Sequence, residues 1–342
     1  MQTITIKDIA KICGVGVSTV SRALNDHPDI NAATKEKILQ TVAEYHFVPN
    51  NSARNIRITD SKTIAVLVKG ISNPFFMKMI RIMENEICMK GYSMTLHHVD
   101  NDTDETAVAM ELITEKRLRG IIFLGGHFNH TVERLDAIPV PFVLSTIAVP
   151  EELPKRYSFV SVNDVEESYK LVEYLLRLGH TRIAMITAGE TDESIGKLRK
   201  TGYLKALRDH GIDPDPALIY EMDPAYDPYT MENGYAVMQK ILAAGHDFTA
   251  VYAISDTLAV GAAKALSEAG YRIPADVSLA GFDGIDLAQY YIPSITTVRQ
   301  PFEEMAQMTV SALFQEMEQT GKFTRKLFAG TLIEGGSCAP LS

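Results

Sequence analysis

Two rhythms of apolar and polar positions divide the chain. Over residues 5–45 apolar side chains recur at helical spacing, whereas from residue 63 short apolar runs alternate with amphipathic stretches. Residues 5–13 read TIKDIAKIC, which puts Ile6, Ile9, Ala10 and Cys13 on one helical face and Thr5 at a capping position. A break at Gly14, Val15 and Gly16 precedes residues 17–25, VSTVSRALN, with Val20, Ala23 and Leu24 turned inward. A third helix should begin after Asn31, bury Ile38, Leu39, Val42 and Tyr45, and stop before Phe47, Val48 and Pro49. Two short amphipathic helices joined by a glycine-containing turn are the sequence form of a helix-turn-helix, whose second helix can lie in the DNA major groove. Residues 50–58, NNSARNIRI, predict a further helix of about two turns capped by Asn50 or Asn51, marginal in water by itself. The polar stretch 59–62 reads as a linker.

From residue 63 the pattern predicts apolar segments at 64–68, 93–98, 120–124 and 140–144, with amphipathic segments at 76–90, 105–116 and 132–135 between them. A second set follows, with strands at 159–162, 182–187, 218–221, 250–254 and 277–282 and helices at 165–178, 197–210, 231–243 and 257–269. Residues 296–298, 302–319 and 326–334 add one helix and the final strands. This alternation means parallel sheets covered by helices. Two such sets fit two similar lobes, with a ligand cleft between them at the C-terminal ends of strands.

Composition refines this picture. The 342 residues exceed one small domain, and 46% hydrophobic content supplies real cores. No apolar run approaches the roughly 20 residues needed to span a bilayer, and no basic-then-apolar leader opens the chain. Cys13, Cys88 and Cys338 are scattered and odd in number, which suggests a reducing compartment, the bacterial cytoplasm. The formal charge of −10 looks wrong for a DNA binder, but it is unevenly spread: residues 1–60 hold seven cations against six carboxylates. A nearly neutral head should bind DNA weakly alone, and pairing two heads in a dimer is the natural remedy.

These pieces resemble the LacI/GalR family of bacterial transcriptional regulators along essentially the whole chain. The resemblance is carried by TIKDIAKICGVGVSTVSRALN, by Ala53 and Arg54, by Arg199-Gly202-Tyr203 and by Gly179-His180-Arg182. It continues through Ser255-Asp256-Ala259-Gly261, Pro274-Asp276-Val277-Ser278, Gly281-Phe282-Asp283, Pro293, Thr296-Thr297-Val298 and Gln300-Pro301. It implies an N-terminal three-helix helix-turn-helix head plus hinge helix, followed by an α/β core of two similar parallel-sheet lobes, type I periplasmic-binding-protein-like. The corresponding divisions are a head at 1–49, a hinge helix and linker at 50–61, and a ligand-binding and dimerisation core at 62–342. Its first lobe would hold 62–161 and 292–322, its second 162–291 and 323–342, with three crossings between them.

The resemblance also implies roles. Val17, Ser18 and Arg22 would contact bases, Arg22 reaching a guanine bidentately; the alternative for Arg22 is a phosphate contact or a solvated surface position. Thr5, Thr19, Ser21, Asn25 and Thr34 suit phosphate contacts, which position without specifying. Gly16 stands where the family usually has a serine cap. Ile56 occupies the place of an apolar minor-groove wedge, unless it only packs the hinge helix, with Ala53, Arg54 and Arg57 beside it. In the core, Phe75 and Phe76 would flank the cleft, Phe75 favoured as the ligand contact, and Arg199 could clamp hydroxyls or a carboxylate. Asp256 and Asp283 end strands where cleft ligands sit, though Asp256 could equally cap a helix. Tyr226 falls near an aromatic lid position. Where relatives carry Asp-Arg after the fourth strand, this chain has Thr146-Ile147; where they carry Asp-Asn, it has Asn163-Asp164, so that Asp164 either recovers the carboxylate or caps the next helix.

The implied protein needs no cofactor and no metal. Its partners are double-stranded operator DNA, a small-molecule effector (a sugar or sugar derivative) and a second copy of itself, with no membrane. The expected activity is repression of sugar uptake or catabolism genes as a homodimer on a pseudo-palindromic operator. The helices near 76–89 and 105–116 are candidate dimer surfaces, with Met77, Met79, Met83 and Met89 lending adaptability. Rival classes fare worse. An enzyme would need a motif such as a P-loop, H-E-x-x-H or G-x-S-x-G, none of which occurs. A secreted sugar-binding protein has no use for a DNA head. An activator in place of a repressor is not distinguished by any residue.

Overall fold

The computed structural model describes residues 4–24, 27, 29–45, 62–101, 103–126, 132–147, 154–189, 194–319 and 321–341. Met1–Ser61 and Lys62–Ser342 form two separate compact units. The expected helix at 50–58, with Ala53, Arg54, Ile56 and Arg57, lies outside the described residues, as does Asn25.

The first unit contains α1 (Ile6–Cys13), α2 (Val17–Leu24) and α3 (Ala32–Glu44). Thr5 and Asp8 close a capping box at the start of α1, and Asn31 caps α3 by accepting from the Ala33 and Thr34 N–H groups. Gly14 ends α1 at φ 70°, a left-handed conformation that glycine adopts without strain. Lys37 donates to the Cys13 carbonyl and satisfies another α1 end group. The core is Ile9, Ala10, Cys13, Val20, Ala23 and Ile38. Leu39 and Tyr45 face outward, against expectation, and Thr41 is buried instead. The inward stripe of α3 runs through Ile38, Thr41 and Val42, and Leu39 lies about 100° around the helix from Ile38.

The second unit begins with β1 (Thr63–Val68), α4 (Pro74–Met89), β2 (Ser93–His98), α5 (Glu105–Lys116), β3 (Gly120–Leu124), α6 (Val132–Asp136), β4 (Phe142–Ser145) and β5 (Ser158–Val162). The chain then crosses into α7 (Asp164–Arg177), β6 (Ile183–Thr187), α8 (Ile195–Asp209), β7 (Ile219–Glu221), α9 (Met231–Ala244), β8 (Ala250–Ala253), α10 (Asp256–Glu268), β9 (Ser278–Asp283), α11 (Asp286–Tyr290) and β10 (Thr296–Arg299). It returns as α12 (Phe302–Glu318) and β11 (Arg325–Phe328), and ends with β12 (Thr331–Ile333). Among the described residues there are two six-stranded sheets, ordered β11-β5-β4-β3-β1-β2 and β12-β10-β9-β8-β6-β7. Only β12, against β10, is antiparallel. The central strands β1, β3, β4, β6, β8 and β9 are buried almost end to end, as near-continuous apolar runs in doubly covered parallel sheets must be. The edge strands β2, β7, β11 and β12 carry the exposed and polar positions, including Arg325 and Lys326.

The lobe boundaries differ from the expected ones. The β10 strand pairs with β9, Thr296 opposite Ala280, and so belongs to the second lobe. The β11 strand extends the first sheet beside β5. Residues 292–299 therefore move to the second lobe and 325–328 to the first. The α4 methionines also divide: Met79 and Met83 are core, while Met77 and Met89 are exposed.

Two positions show how tightly the lobes are packed. A Cβ on Gly261 would lie 1.9 Å from the Met231 carbonyl oxygen, and one on Gly234 2.2 Å from the Leu258 carbonyl oxygen, so α9 and α10 touch backbone to backbone. Gly261→Ala must push those helices apart and is expected to cost about 1–3 kcal/mol or more in urea denaturation. In the first lobe Glu316 on α12 is buried. Burial pushes its carboxyl up to about 7, a Ser158 hydrogen bond only partly offsetting this. Between about pH 4.5 and 7 the unfolded chain releases this proton while the folded chain keeps it, so stability falls as pH rises. Glu316→Gln is expected to be more stable than the parent above pH 7, by roughly 2–3 kcal/mol at most, with the advantage vanishing near pH 4.5; melting curves across that range check it.

Candidate functional site

The first candidate site is the outer face of α2. Val17, Ser18, Ser21 and Arg22 are exposed, at positions i, i+1, i+4 and i+5 of one helix, while Val20 and Ala23 hold the other face to the core. The Gly16 carbonyl accepts from the Thr19 and Val20 N–H groups, so the turn is closed by backbone without a side-chain hydroxyl at Gly16. Thr19 and Thr34 are half-buried. The Thr5 hydroxyl lies 2.6 Å from the Asp8 carboxylate and takes part in capping its own helix.

The second lies in the core, where β-strand C-termini of the two lobes face each other around a cavity of about 10 Å³, room for one water-sized molecule. The first lobe contributes Asn73, Phe75, Phe76, Thr146 and Ser161; the second contributes Asp164, Ile195, Arg199, Asp283 and Gln300. Asn73 caps α4, its Oδ1 accepting from the Phe75 N–H. Its Nδ2 donates across the cleft to Asp283 Oδ2 at 3.0 Å. Lys78 reaches Asp286 nearer the surface, a second bond between the lobes. The Phe75 and Phe76 rings meet edge to face, 5.5 Å apart.

Arg199 organises the site. Its side chain is 1% exposed and stacks on Phe282, 3.7 Å from the ring centre. Nε donates to Asp164 at 2.9 Å, while Nη1 donates to the Ile254 carbonyl at 2.5 Å and to Asp283 at 3.2 Å. Asp283 also accepts from Gln300 Nε2 at 2.8 Å. Burial opposes the charge on Arg199, but the pull of Asp164 and Asp283 outweighs it and the guanidinium stays charged. One cation faces two carboxylates, Asp164 and Asp283. Burial drives Asp164 up to about 6 despite Arg199. Burial, then the charge of Asp283, raises Asp256 well above the ordinary range.

The structure thus brings together Phe75, Phe76, Asp164, Arg199 and Asp283 of the expected ligand residues. Three do not line the cleft. Asn163 is exposed and caps α7, its Oδ1 accepting from the Glu166 N–H. Tyr226 lies on the half-exposed loop before α9. The aromatic nearer Arg199 is Tyr229, held at φ 59° with its hydroxyl 3.2 Å from Ser194. Asp256 is fully buried behind the site, its Oδ2 accepting from the Ile285 N–H, and Ser255 rather than Asp256 caps α10. Gly281 makes room for it, since a Cβ there would sit 2.3 Å from Asp256 Oδ1. Sequence reasoning missed Asn73, Ser161 and Gln300, and treated Thr146 only as an oddity. A further buried pair, Lys69 with Glu105 at 2.5 Å, sits beside the cleft aromatics, the Lys69 carbonyl and the Phe76 ring both crowding Gly125.

Comparison with known proteins agrees with this architecture. Residues 5–50 match the bacterial regulatory proteins of the lacI family, and residues 172–338 match a periplasmic binding protein-like domain. The chain is 39% identical over 339 residues to the HTH-type transcriptional regulator MalR of Clostridium butyricum, covering 97% of this chain and 98% of that one. It is 32% identical over 340 residues to the transcriptional repressor CytR of Escherichia coli, covering 98% and 96%. Among solved structures it resembles a complex of the transcriptional regulator CelR with cellobiose, with TM-score 0.72, 26% identity and coverage of 98% and 99%. It shares its fold with the lac repressor dimer bound to operator, with TM-score 0.75, 24% identity and coverage of 99% and 100%. The relatives are regulators of transcription, not enzymes. With a helix-turn-helix head, two parallel-sheet lobes and these relatives along nearly its whole length, the chain belongs to the LacI family and is a transcriptional repressor of that family.

Proposed function

We propose that the protein represses genes for sugar uptake or catabolism by gripping a pseudo-palindromic operator as a homodimer, and that a small polyhydroxyl effector in the interlobe cleft changes that grip. The observation that carries this reading is the Asn73–Asp283 hydrogen bond between the lobes, set within the buried Arg199 network. Any ligand entering there must break or replace it, so occupancy and lobe geometry are linked. Phe75, Phe76, Asp164, Arg199 and Asp283 then form the ligand shell, with Asn163, Tyr226 and Asp256 acting behind it or at its rim. The aromatic rings suit the C–H face of a sugar, and the carboxylates and guanidinium suit its hydroxyls. Solved relatives with bound cellobiose and bound ribose make the same ligand class reasonable here.

On the DNA side, Val17, Ser18 and Arg22 read bases in the major groove, and Thr19, Ser21, Asn25 and Thr34 hold phosphates. Ala53, Arg54, Ile56 and Arg57 enter the minor groove, Ile56 as the wedge at the operator centre. Lobe movement alters the spacing of two such hinges and so favours or melts them. No described helix is long and apolar enough to cross a membrane.

Selection of bound duplexes from a random library is expected to return a two-fold symmetric motif; a lone, asymmetric half-site bound by one protomer would refute the dimer reading. On the selected duplex at fixed salt, Arg22→Ala is expected to weaken binding about tenfold or more, with much less effect on a scrambled duplex. Ile56→Ala should also weaken the selected duplex while leaving effector affinity unchanged. In thermal-shift measurements a cleft ligand at a hundred times its Kd should add about 2.7 kcal/mol of stability. Arg199→Lys, which keeps the charge but not the planar fork, is expected to abolish that shift.

A further inference from the structure

Ile285 crosses the division between the lobes. It follows β9 and belongs to the second lobe, yet it is 4% exposed and buried in the apolar cluster of the first, with Phe75, Phe76, Met79, Phe302 and Met305. Among the described residues it is the one buried member of that cluster that the second lobe contributes. Local structure does not account for an isoleucine here. Ile285 is the N-cap of α11, where an aliphatic residue is among the poorest choices, and its side chain gives that helix no hydrogen bond. The backbone that presents it is forced into place. Asp283 stands at φ 110° and Gly284 at φ 71°, and a Cβ on Gly284 would lie 2.5 Å from the Arg299 Cα. Three bonds hold the turn. The Gln300 N–H donates to the Asp283 carbonyl at 3.2 Å, the Gly284 N–H to Thr297 Oγ1 at 3.3 Å, and the Ile285 N–H to Asp256 Oδ2 at 2.9 Å. Strain persists where the surroundings over-determine it, and it points to function.

The residues flanking Ile285 bind the same part of the first lobe. Asp283 accepts from Asn73 at 3.0 Å, and Asp286 accepts from Lys78 at 2.5 Å, with Lys78 also lying over the Phe302 ring. The Lys78 pair is partly exposed and contributes little. Between the two polar bonds Ile285 supplies a dry contact, which does not weaken with salt. We propose that Ile285 is an apolar knob by which the protein's own side chains hold the lobes in one arrangement, and that the repressor switches by unseating it. The cavity between the lobes has room for one water-sized molecule, so a sugar ring enters only when the lobes part, against this knob. The knob acts whatever the identity of the effector, and its test needs none.

Amide hydrogen exchange on the full chain, without any sugar, reads the lobe arrangement directly. In Ile285→Ala the facing segments 73–80 and 283–290 are expected to exchange about tenfold faster or more, because the contact that protects both is gone. Helices 231–244 and 256–268, packed against each other within the second lobe, should keep the parent's rates. Ile285→Val, which lacks one methyl group, should show the same local pattern at about threefold. On the selected operator duplex, again without sugar, Ile285→Ala should change affinity by about threefold or more, with Ile285→Val between it and the parent. Parent-like exchange at 73–80 in Ile285→Ala overturns the proposal. Equal acceleration in every helix marks an ordinary core residue and overturns it as well, as does failure of both variants to fold. Local opening with unchanged operator affinity removes the switching role. None of these outcomes bears on whether a sugar binds the cleft, so the effector reading stands or falls separately.

Discussion

A guanidinium sealed from water is the constraint on which the second unit turns. Moving Arg199 out of water costs several kcal/mol, and only dense compensation makes that tolerable. The compensation comes from separate elements: Asp164 opens α7, the Ile254 carbonyl follows β8, and Asp283 and Phe282 end β9. Arg199 itself rides on α8. One side chain therefore fixes the relative positions of two helices and two strand ends at the mouth of the cleft. The same constraint explains local choices. Gly281 leaves room for Asp256 beneath the network, and Asp283 accepts φ 110° because Arg199, Asn73 and Gln300 all hold its carboxylate.

The electrostatics of this cluster follow from burial first and charge second. Two carboxylates touch one guanidinium and a third stands behind; burial, and after it the charge of Asp283, raises both Asp164 and Asp256. The cluster is therefore not a set of saturated ion pairs. It is poised to exchange partners, with one guanidinium nitrogen still unpaired among the described residues. A purely structural network would be expected to satisfy that nitrogen, since a half-satisfied buried network is worse than an apolar core.

Much of this was legible in the sequence because the physics is local there. Buried parallel strands must be apolar throughout, so β1, β3 and β9 announce themselves as runs. The residues at strand ends, Asp283 above all, follow from the rule that ligands sit beyond C-terminal strand ends. What was not legible depends on contacts between distant residues. Asn73 caps α4 locally, but its role in the cleft needs Asp283, 210 positions later. The short strands β10 and β11 carry similar apolar weight, and only pairing with β9 and β5 assigns each to its lobe. Tyr226 and Tyr229 are only three positions apart, and it is Tyr229 whose hydroxyl acts on Arg199. Thr146 looked like a departure from a pattern, and its strained φ and unpaired hydroxyl became visible only with coordinates.

Magnitudes limit how the proposed switch can work. A single hydrogen bond such as Asn73–Asp283 contributes about 1 kcal/mol net, and a partly exposed pair such as Lys78–Asp286 adds less than about 1 kcal/mol. Together they bias two lobe arrangements by one order of magnitude or so, within the usual allosteric coupling of about 1–3 kcal/mol. Moving a population from 1:99 to 99:1 needs about 5.5 kcal/mol, so breaking the latch alone cannot switch a repressor completely. The remainder has to come from contacts the ligand makes only when the lobes are closed around it. Both lobes line the cleft, with Phe75 and Phe76 on one wall and Arg199 on the other, so a ligand in the proposed site would meet groups from each. In the proposed switch the lever is α4, which starts at the cleft with Asn73 as its cap and runs 16 residues, about 24 Å, to the exposed Met89. A small rotation at the capped end is largest at the far one, so ligand contacts that close the lobes would also displace a distant surface.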